Sequence, residues 1–363
     1  MFDFGIIGGG ASGMYASILL AKKGYKVAVL EANDRIGKKL LATGNGKCNL
    51  SNVDISTDYY NTNEIRSIVT DFDMQKQMKE LGLVTKVKSG RIYPFSEKAN
   101  NVLNVLLSNM QKYGVKIFSD CLVTDLKIND NVNIITNKNN FECKKVCLAT
   151  GNKATFGIDS LSLYEKLGHT SIKNTPSLVP LLAKKLEQIK GIDGVRQEAN
   201  VSLYDGGKLI STEFGEVQFR KDGISGIVIM NMSSKMSNNN MLEGICYLDF
   251  MPQFTKEEVE TLLKNQITAE FGLLNKNLMQ RIMGYGVDSI KHYRIDVVKS
   301  EDYKQAQVVH GGLDLSQFNL KDMSSKVNGK LYAIGEVLNV DGVCGGYNLH
   351  FAFASAHNFA KEF

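Results

Sequence analysis

The stretch from Phe2 to Glu31, FDFGIIGGGASGMYASILLAKKGYKVAVLE, decides the fold. It predicts an apolar strand from Phe2 to Ile7 and a turn, Gly8-Gly9-Gly10-Ala11-Ser12-Gly13. An apolar-periodic helix from Met14 to Lys23 follows, then a second strand, Lys26 to Leu30, that ends at Glu31. G-x-G-x-x-G between a strand and a helix is the fingerprint of a Rossmann-type dinucleotide site. Gly8 permits the tight turn, Gly10 lets backbone approach a pyrophosphate, and Gly13 lets helix and strand pack closely. Glu31 stands where an acid accepts ribose hydroxyls. A carboxylate there disfavours a 2′-phosphate, so the expected ligand is FAD or NAD rather than NADP. Glycine-rich turns are common; the strands, helix and acid around this one carry the assignment.

The far end of the chain repeats this grammar. Lys330 to Phe359 reads KLYAIGEVLNVDGVCGGYNLHFAFASAHNF: a short apolar strand, Leu331 to Ile334, that stops at Gly335-Glu336, a turn with Gly342, Gly345 and Gly346, and a helical run from Asn348. The first N–H groups of a helix have no partner within it and point outward, so such a turn can cradle an anion or a cofactor. Two half-sites at opposite termini must meet in the fold, and what they grip is long.

Between them, polar helical stretches are expected near Glu64 to Phe72 and Met74 to Leu81, a hairpin through Ser89-Gly90, and a helix from Ala99 to Tyr113 with Val102, Leu103, Leu106, Leu107 and Met110 on one face. Strands follow at Val115–Phe118, Leu122–Ile128, Val132–Thr136 and Phe141–Leu148, leaving through Ala149-Thr150-Gly151. From about Asn152 the pattern changes to short strands, hairpin signals such as Asp205-Gly206-Gly207 and helical runs such as Lys256 to Lys264. The expected organisation is therefore a nucleotide-binding domain over 1–151, an inserted second domain over 152–310, and a return to the first domain over 311–363. No second G-x-G-x-x-G is present, which leaves room for one Rossmann nucleotide site.

Composition bounds the partners. With 363 residues the chain can bury a large core, and two domains are the prior. No apolar run approaches the roughly twenty residues of a membrane helix, and the first strand begins at once, leaving no room for a signal peptide. The six cysteines form no C-x-x-C pair, so neither a disulfide frame nor a zinc site is expected. Cys143 and Cys147 read as buried strand thiols. The expected compartment is the cytoplasm, without metal or membrane. The net charge of +5 is scattered in lysine pairs rather than gathered in a stripe; it permits an RNA partner without demanding one.

Several motifs coincide in a resemblance. Gly8 to Gly13 with Glu31, Ala149-Thr150-Gly151 and LYAIGE at 331–336 resemble the two-dinucleotide-binding-domain flavoproteins, which share the glutathione-reductase-type FAD fold. RIGKKLLATGNGKCNLSN (35–52), GRIYPFS, SLVPLL, GISG and DGVCGGYN are similar to a narrower group, the BaiN/YhiN-like FAD-dependent oxidoreductases. The likeness runs the length of the chain and is weakest in the insert.

That resemblance implies an α/β fold with FAD bound across both termini and an inserted β-rich and helical second domain. Glu31 would hold the adenosine ribose, and Gly8, Gly10 and Gly13 the pyrophosphate. Gly335 and Glu336 would meet the pyrophosphate and ribityl region. The Gly345-Gly346-Tyr347-Asn348 turn would set a helix N-terminus against the flavin, whose reduced ring carries negative charge. It also assigns Ala11, Ser12, Lys39, Gly44, Asn45, Gly46, Cys48, Thr150 and Gly151 to the cofactor site.

A single FAD without a thiol pair implies hydride chemistry, with NADH or NADPH docking transiently as reductant. Members of the group reduce conjugated double bonds in bile-acid enones, oxidise aminoacetone, or reduce uridine to dihydrouridine in large-subunit ribosomal RNA. Reduction of an enone or of uracil needs an acid to protonate the α-carbon. The candidates are Cys48 in the GNGKCN loop, Cys344 beside the C-terminal turn, and His350 on the first turn of the last helix. Tyr347 is expected to stack on the flavin or to fill space, and Arg91 to bind a phosphate or a uracil carbonyl or else to form a structural ion pair. Uridine in 23S-type rRNA is the favoured substrate. A small enone or amine and a non-catalytic flavin-binding role are the alternatives.

Overall fold

The computed structural model describes residues 1–154, 160–265, 272–286 and 288–363. The chain forms two compact units, Met1–Asn174 with Val308–Phe363, and Thr175–Gln307.

The first unit is built on a parallel sheet. Phe2–Ile7 lies between Val27–Leu30 and Phe141–Leu148, and Lys116–Phe118 and Leu331–Ala333 extend it on either side, all parallel. The central strands are buried on both faces, which is why they read as unbroken apolar runs rather than alternating ones. At one edge Ser324–Ser325 and Phe318–Asn319 add antiparallel strands. The hairpin Val123–Ile128 with Val132–Thr136 pairs antiparallel with Phe141–Leu148.

Helix Ala11–Lys22 starts three residues earlier than its apolar periodicity suggested. Gly10, in an extended conformation, is its N-cap, so the whole Ala-Ser-Gly segment already belongs to the first turn. It is buried almost all round, matching its uniformly apolar composition. Helix Ala99–Lys112 buries Val102, Leu103, Leu106 and Met110 of the predicted face and leaves its fifth member, Leu107, partly buried. Cys143 and Cys147 are fully buried in their strand.

The second unit holds a closed six-stranded antiparallel barrel. Around it run Leu181–Ala183, Gly223–Ser225, Lys208–Phe219, Arg196–Asp205, Glu243–Asp249 and Tyr293–Lys299, the last pairing back to the first. Ala199, Val201 and Leu203 alternate inward, as a one-sided strand requires, and meet Val217, Phe219, Cys246, Leu248, Ile295 and Val297 in the barrel core. Helix Ile227–Asn238 contributes Val228, Ile229, Met232 and Met236 to the same core.

The division of the chain falls at Asn174/Thr175 and Gln307/Val308, whereas the sequence reading placed it at 152 and 310. The reason is two buried polar anchors. Tyr164, on helix Leu161–Glu165, donates its hydroxyl to the Tyr332 carbonyl at 2.6 Å, and the ring of His169 bonds Ser325 Oγ at 2.7 Å and the Tyr164 carbonyl at 3.1 Å. These tie residues 160–170 to the sheet of the first unit. The composition shift at Asn152 marks the end of a strand, not the end of a domain.

Candidate cofactor-binding site

The N-terminal turn is shaped by close approaches. A Cβ on Gly13 would lie 2.0 Å from the Gly8 carbonyl oxygen, and one on Gly8 would lie 2.5 Å from the Ala149 carbonyl oxygen, with Gly8 at φ +110°. At both positions only glycine fits. Gly10 differs: the nearest atom to its Cβ position is 4.0 Å away, so its outward side is open space. Beside it lies a cavity of about 310 Å3, lined among others by Gly8, Gly10, Glu31, Asn33, Lys39 and Thr150.

Glu31 holds the rim of this cavity. Its Oε2 accepts from the Gly9 N–H at 2.9 Å, and its Oε1 accepts from the Asn33 N–H at 2.8 Å and from Asn33 Nδ2 at 2.7 Å. A carboxylate has about four lone-pair sites, so Oε2 keeps acceptor capacity toward the cavity. Asn33 and the Cys121–Thr124 wall of the cavity lie outside the sequence-level site. Asn33, two residues after the acid, was legible as a turn residue; the wall carries no motif.

Both termini converge here. Gly335, at φ +71°, would bring a Cβ to 2.7 Å from Ser12 Oγ, so the C-terminal strand exit rests directly on the first turn of the N-terminal helix. Its N–H donates to Ser355 Oγ at 3.0 Å. Next to it, Glu336 Oε2 accepts from Lys39 Nζ at 3.2 Å and from Asn152 Nδ2 at 3.4 Å, while Lys39 Nζ also donates to Asn152 Oδ1 at 3.0 Å. A Cβ on Gly151 would lie within 4 Å of both charged groups. Thr150 Oγ1 pairs with Ser160 Oγ at 2.5 Å. The structure thus brings together Gly8, Gly10, Ser12, Gly13, Glu31, Lys39, Thr150, Gly151, Gly335 and Glu336, with Ala11 opening the helix. Space beside Gly10, outward N–H groups at a helix start, an acid at the strand end and a lysine at the mouth fit a dinucleotide.

The GNGKCN loop is a different case. Gly44 and Asn45 are left-handed and exposed, Gly46 and Cys48 also have positive φ, and none of the four lines the cavity. Cys48 is fully buried and its N–H donates to the Thr43 carbonyl at 3.1 Å; burial pushes its thiol up to about 12. A neutral thiol sealed from solvent is placed to pack, not to hand a proton to a substrate.

The C-terminal turn spends its side chains on the chain itself. Asn348 closes the turn, its Oδ1 accepting from the Gly342 N–H and its Nδ2 donating to the Gly342 carbonyl, both at 2.8 Å. The Tyr347 ring stacks on Tyr59 at 4.5 Å between centroids, and the Tyr347 carbonyl accepts from the Tyr60 hydroxyl at 2.9 Å. Gly346, at φ +102°, sits against the Ser51 backbone, and Asn52 Nδ2 donates to the Gly345 carbonyl at 3.2 Å. Tyr347 therefore fills space against protein rings. What the turn offers a ligand is backbone N–H at the start of helix Tyr347–Lys361.

His350 is a correction. It is 1% exposed; Ser51 Oγ lies 2.7 Å from Nδ1, and the Val69 carbonyl 2.8 Å from Nε2. A carbonyl only accepts, so Nε2 carries the proton and Nδ1 accepts from the serine. Burial lowers its pKa to about 4. With both nitrogens committed to protein, the ring is a staple between the last helix and two distant segments, and its one proton is held on the Val69 carbonyl. Cys344, half-buried in the turn, is in no disulfide. Among the described ion pairs none involves Arg91; Glu97 is taken by Lys86 at 2.7 Å, Lys88 at 3.5 Å and Lys47 at 3.9 Å. Arg91 pairs in the sheet with Asn52, whose side chain donates to the Gly345 carbonyl.

Among the described residues no cluster of His, Cys, Asp or Glu is placed to hold a metal ion, and no helix is long and apolar enough to cross a membrane. Residues 2–362 match the family model described as HI0933-like protein Rossmann domain. The chain is 30% identical to a 3-dehydro-bile acid delta(4,6)-reductase of Clostridium scindens, over 98% of each chain. It is 26% identical to a ribosomal RNA dihydrouridine synthase of Haemophilus influenzae, over 97% of this chain and 96% of that one. Among solved structures, a 3-ketosteroid-delta4-(5alpha)-dehydrogenase from Rhodococcus jostii superposes with a TM-score of 0.51 at 14% identity, covering 99% and 96% of the two chains, a likeness of fold. The chain belongs to the HI0933-like family of Rossmann-type flavoproteins and is an FAD-dependent oxidoreductase.

Proposed function

We propose that the protein saturates a carbon–carbon double bond conjugated to a carbonyl, with NADH or NADPH as the reductant, and that its substrate is uridine in large-subunit ribosomal RNA. One observation carries the bond chemistry: full-length relatives with unlike substrates are named for the same change, a steroid-like delta(4,6) system in one and uridine to dihydrouridine in the other. FAD, when bound, supplies a hydride for the β-carbon of such a system.

The residues of this chain then have defined tasks. Glu31 Oε2 takes a ribose hydroxyl, and the outward N–H groups around Gly10 and Ala11 take the pyrophosphate at a helix N-terminus. Lys39 balances Glu336 and the phosphate charge at the cavity mouth. The start of helix Tyr347–Lys361 favours negative charge on a reduced ring. One Rossmann turn serves one resident dinucleotide, so the pyridine nucleotide comes and goes. Arg91, paired in the sheet with the Asn52 that bonds Gly345 of the C-terminal turn, suits a uracil carbonyl or a phosphate of the RNA.

RNA as substrate rests on the dihydrouridine synthase relatives and on a net charge of +5. The relative at 30% identity favours a second reading, a 3-oxo steroid-like enone. Nucleoside mass spectrometry of large-subunit rRNA from a deletion strain separates them. Loss of one dihydrouridine is expected, and an unchanged dihydrouridine level refutes the RNA reading. The purified protein is expected to be yellow, with absorbance bleached by NADH or NADPH under anaerobic conditions.

A further inference from the structure

The chain has five histidines, and four of them are packed against protein groups or belong to the second unit. His169 and His350 have both ring nitrogens bonded to protein and are buried. His357 packs against Tyr15 and Phe72. His292 packs its ring, tilted by 31°, against Tyr247 in the second unit. The fifth, His310, is different. Its Nδ1 lies 2.9 Å from Asp341 Oδ1; the aspartate side chain is 1% exposed and the histidine side chain 18%.

The pairing is built in by main chain on both sides. His310 lies on strand Val308–Leu313, whose Gly312 would bring a Cβ to 2.7 Å from the Val337 carbonyl oxygen, so the strand is pressed against the segment that follows the Gly335-Glu336 cradle. Leu313 bridges Leu338, and the Asn339 N–H donates to the Leu313 carbonyl at 2.9 Å. Asp341 is fixed by Asn61: its N–H donates to Asn61 Oδ1 at 3.0 Å, and its carbonyl accepts from the Asn61 N–H at 2.9 Å. A carboxylate only accepts, so Nδ1 carries the proton, and no hydrogen bond among the described residues engages Nε2.

We propose that His310, held by the buried carboxylate of Asp341, is the group that protonates the substrate's α-carbon; this rests on the reductase reading above. A carboxylate behind an imidazole fixes its orientation and tautomer. Saturation adds a hydride to the β-carbon, its electron pair forming the new Cβ–H bond, and the π pair of the double bond takes the proton. The partly exposed ring first takes a proton from water at Nε2 while Nδ1–H stays on Asp341; that Nε2–H bond then breaks toward the α-carbon, its pair staying on nitrogen, and the ring returns to its Nδ1–H form. The two electrons come from the reduced pyridine nucleotide by way of the bound cofactor. Asp341 is a positioning residue.

The test uses full-length holoprotein, with cyclohex-2-en-1-one and an unmodified large-subunit rRNA transcript as probes. In His310→Gln, anaerobic bleaching by NADH or NADPH is expected to stay within about twofold of wild type. Reoxidation by the probe that wild type accepts is expected to slow by about 10²–10³-fold, the usual worth of general acid catalysis. Asp341→Asn is expected to slow it about tenfold. In nitrogen-15 spectra of histidine-labelled protein, the wild type is expected to show His310 protonated at Nδ1, with that signal displaced in Asp341→Asn. A His310→Gln protein reoxidised at the wild-type rate overturns the assignment alone. A wild-type protein bleached but reoxidised by neither probe overturns the reductase reading and the assignment with it. Should His310→Gln take up no FAD, the spectra decide: a His310 signal unmoved by Asp341→Asn overturns the pairing.

Discussion

The two glycine turns at the ends of the chain share one local grammar and end in opposite states. At Gly8–Gly13 the glycines press the helix onto the strand and leave a cavity open beside Gly10, rimmed by Glu31 and Lys39. At Gly342–Asn348 the space is taken by the protein: Asn348 closes on Gly342, Tyr347 stacks on Tyr59, and His350 is clamped by Ser51 and Val69. A strand, a glycine turn and a helix start therefore predict outward N–H groups, but not what faces them. That is decided by whichever segment the fold lays over the turn.

The sharpest way to break the comparison lies inside the first turn, between two glycines with different work. Gly13→Ala puts a methyl 2.0 Å from a backbone oxygen, an overpacking expected to cost about 3 kcal/mol and to abolish FAD uptake. Gly10→Ala meets no protein atom nearer than 4.0 Å, so it is expected to lose only the N-cap difference between glycine and alanine, about 1 kcal/mol, while FAD binding weakens at least about tenfold. Thermal melts and flavin titration of the two proteins check this. Equal losses of stability would mean that both glycines serve the fold and that no ligand approaches Gly10.

The second turn is expected to fail through packing. His350→Ala removes a buried ring with two hydrogen bonds and should cost about 2–3 kcal/mol. The wild type carries a pH signature as well. His350 has its pKa lowered from 6.5 to about 4 by burial, so the unfolded chain binds a proton that the folded one refuses. Stability is full above about pH 6.5 and is lost as the pH falls toward 4, by about 3 kcal/mol in all. Denaturant melts between pH 7 and 4 should show this slope in wild type and a shallower one in His350→Ala.

How much of this was legible in the sequence follows from the range over which each feature is made. Strand, turn, helix and acid at the N-terminus are local, and the parallel sheet follows from them. The fate of the second turn is set by Ser51, Tyr59 and Val69, nearly three hundred residues away along the chain, and nothing in GGYNLH encodes their approach. The same holds for His310 and Asp341, which the Leu313–Leu338 bridge joins. The limits of the two compact units are no more local: Tyr164 and His169, which tie 160–170 to the sheet, look like ordinary residues until their partners Tyr332 and Ser325 are known.

Glu31 tests the first turn more gently. Glu31→Ala deletes the acceptor for the Gly9 and Asn33 N–H groups, at a cost of about 1–2 kcal/mol. FAD retention is expected to fall by one to two orders of magnitude, about 1.4–2.7 kcal/mol of binding. Glu31→Gln keeps an acceptor oxygen and should recover most of the stability but less of the binding. If Glu31→Gln restored both equally, the acid would serve the loop alone.

The smallest effect is expected at Cys48, and it decides what the GNGKCN loop does. Its thiol is fully buried, with its pKa pushed up to about 12 by burial, so at pH 8 the native protein should leave it unlabelled by iodoacetamide while the unfolded protein labels it. Cys48→Ala removes one sulfur from a packed site, about 1 kcal/mol of stability, and should leave both bleaching and reoxidation rates near wild type. The loop needs its left-handed residues to turn over Thr43, and a small apolar side chain at position 48 to fill the space beneath; alanine supplies most of that. A large fall in reoxidation with bleaching intact would return the proton to this thiol and remove it from His310.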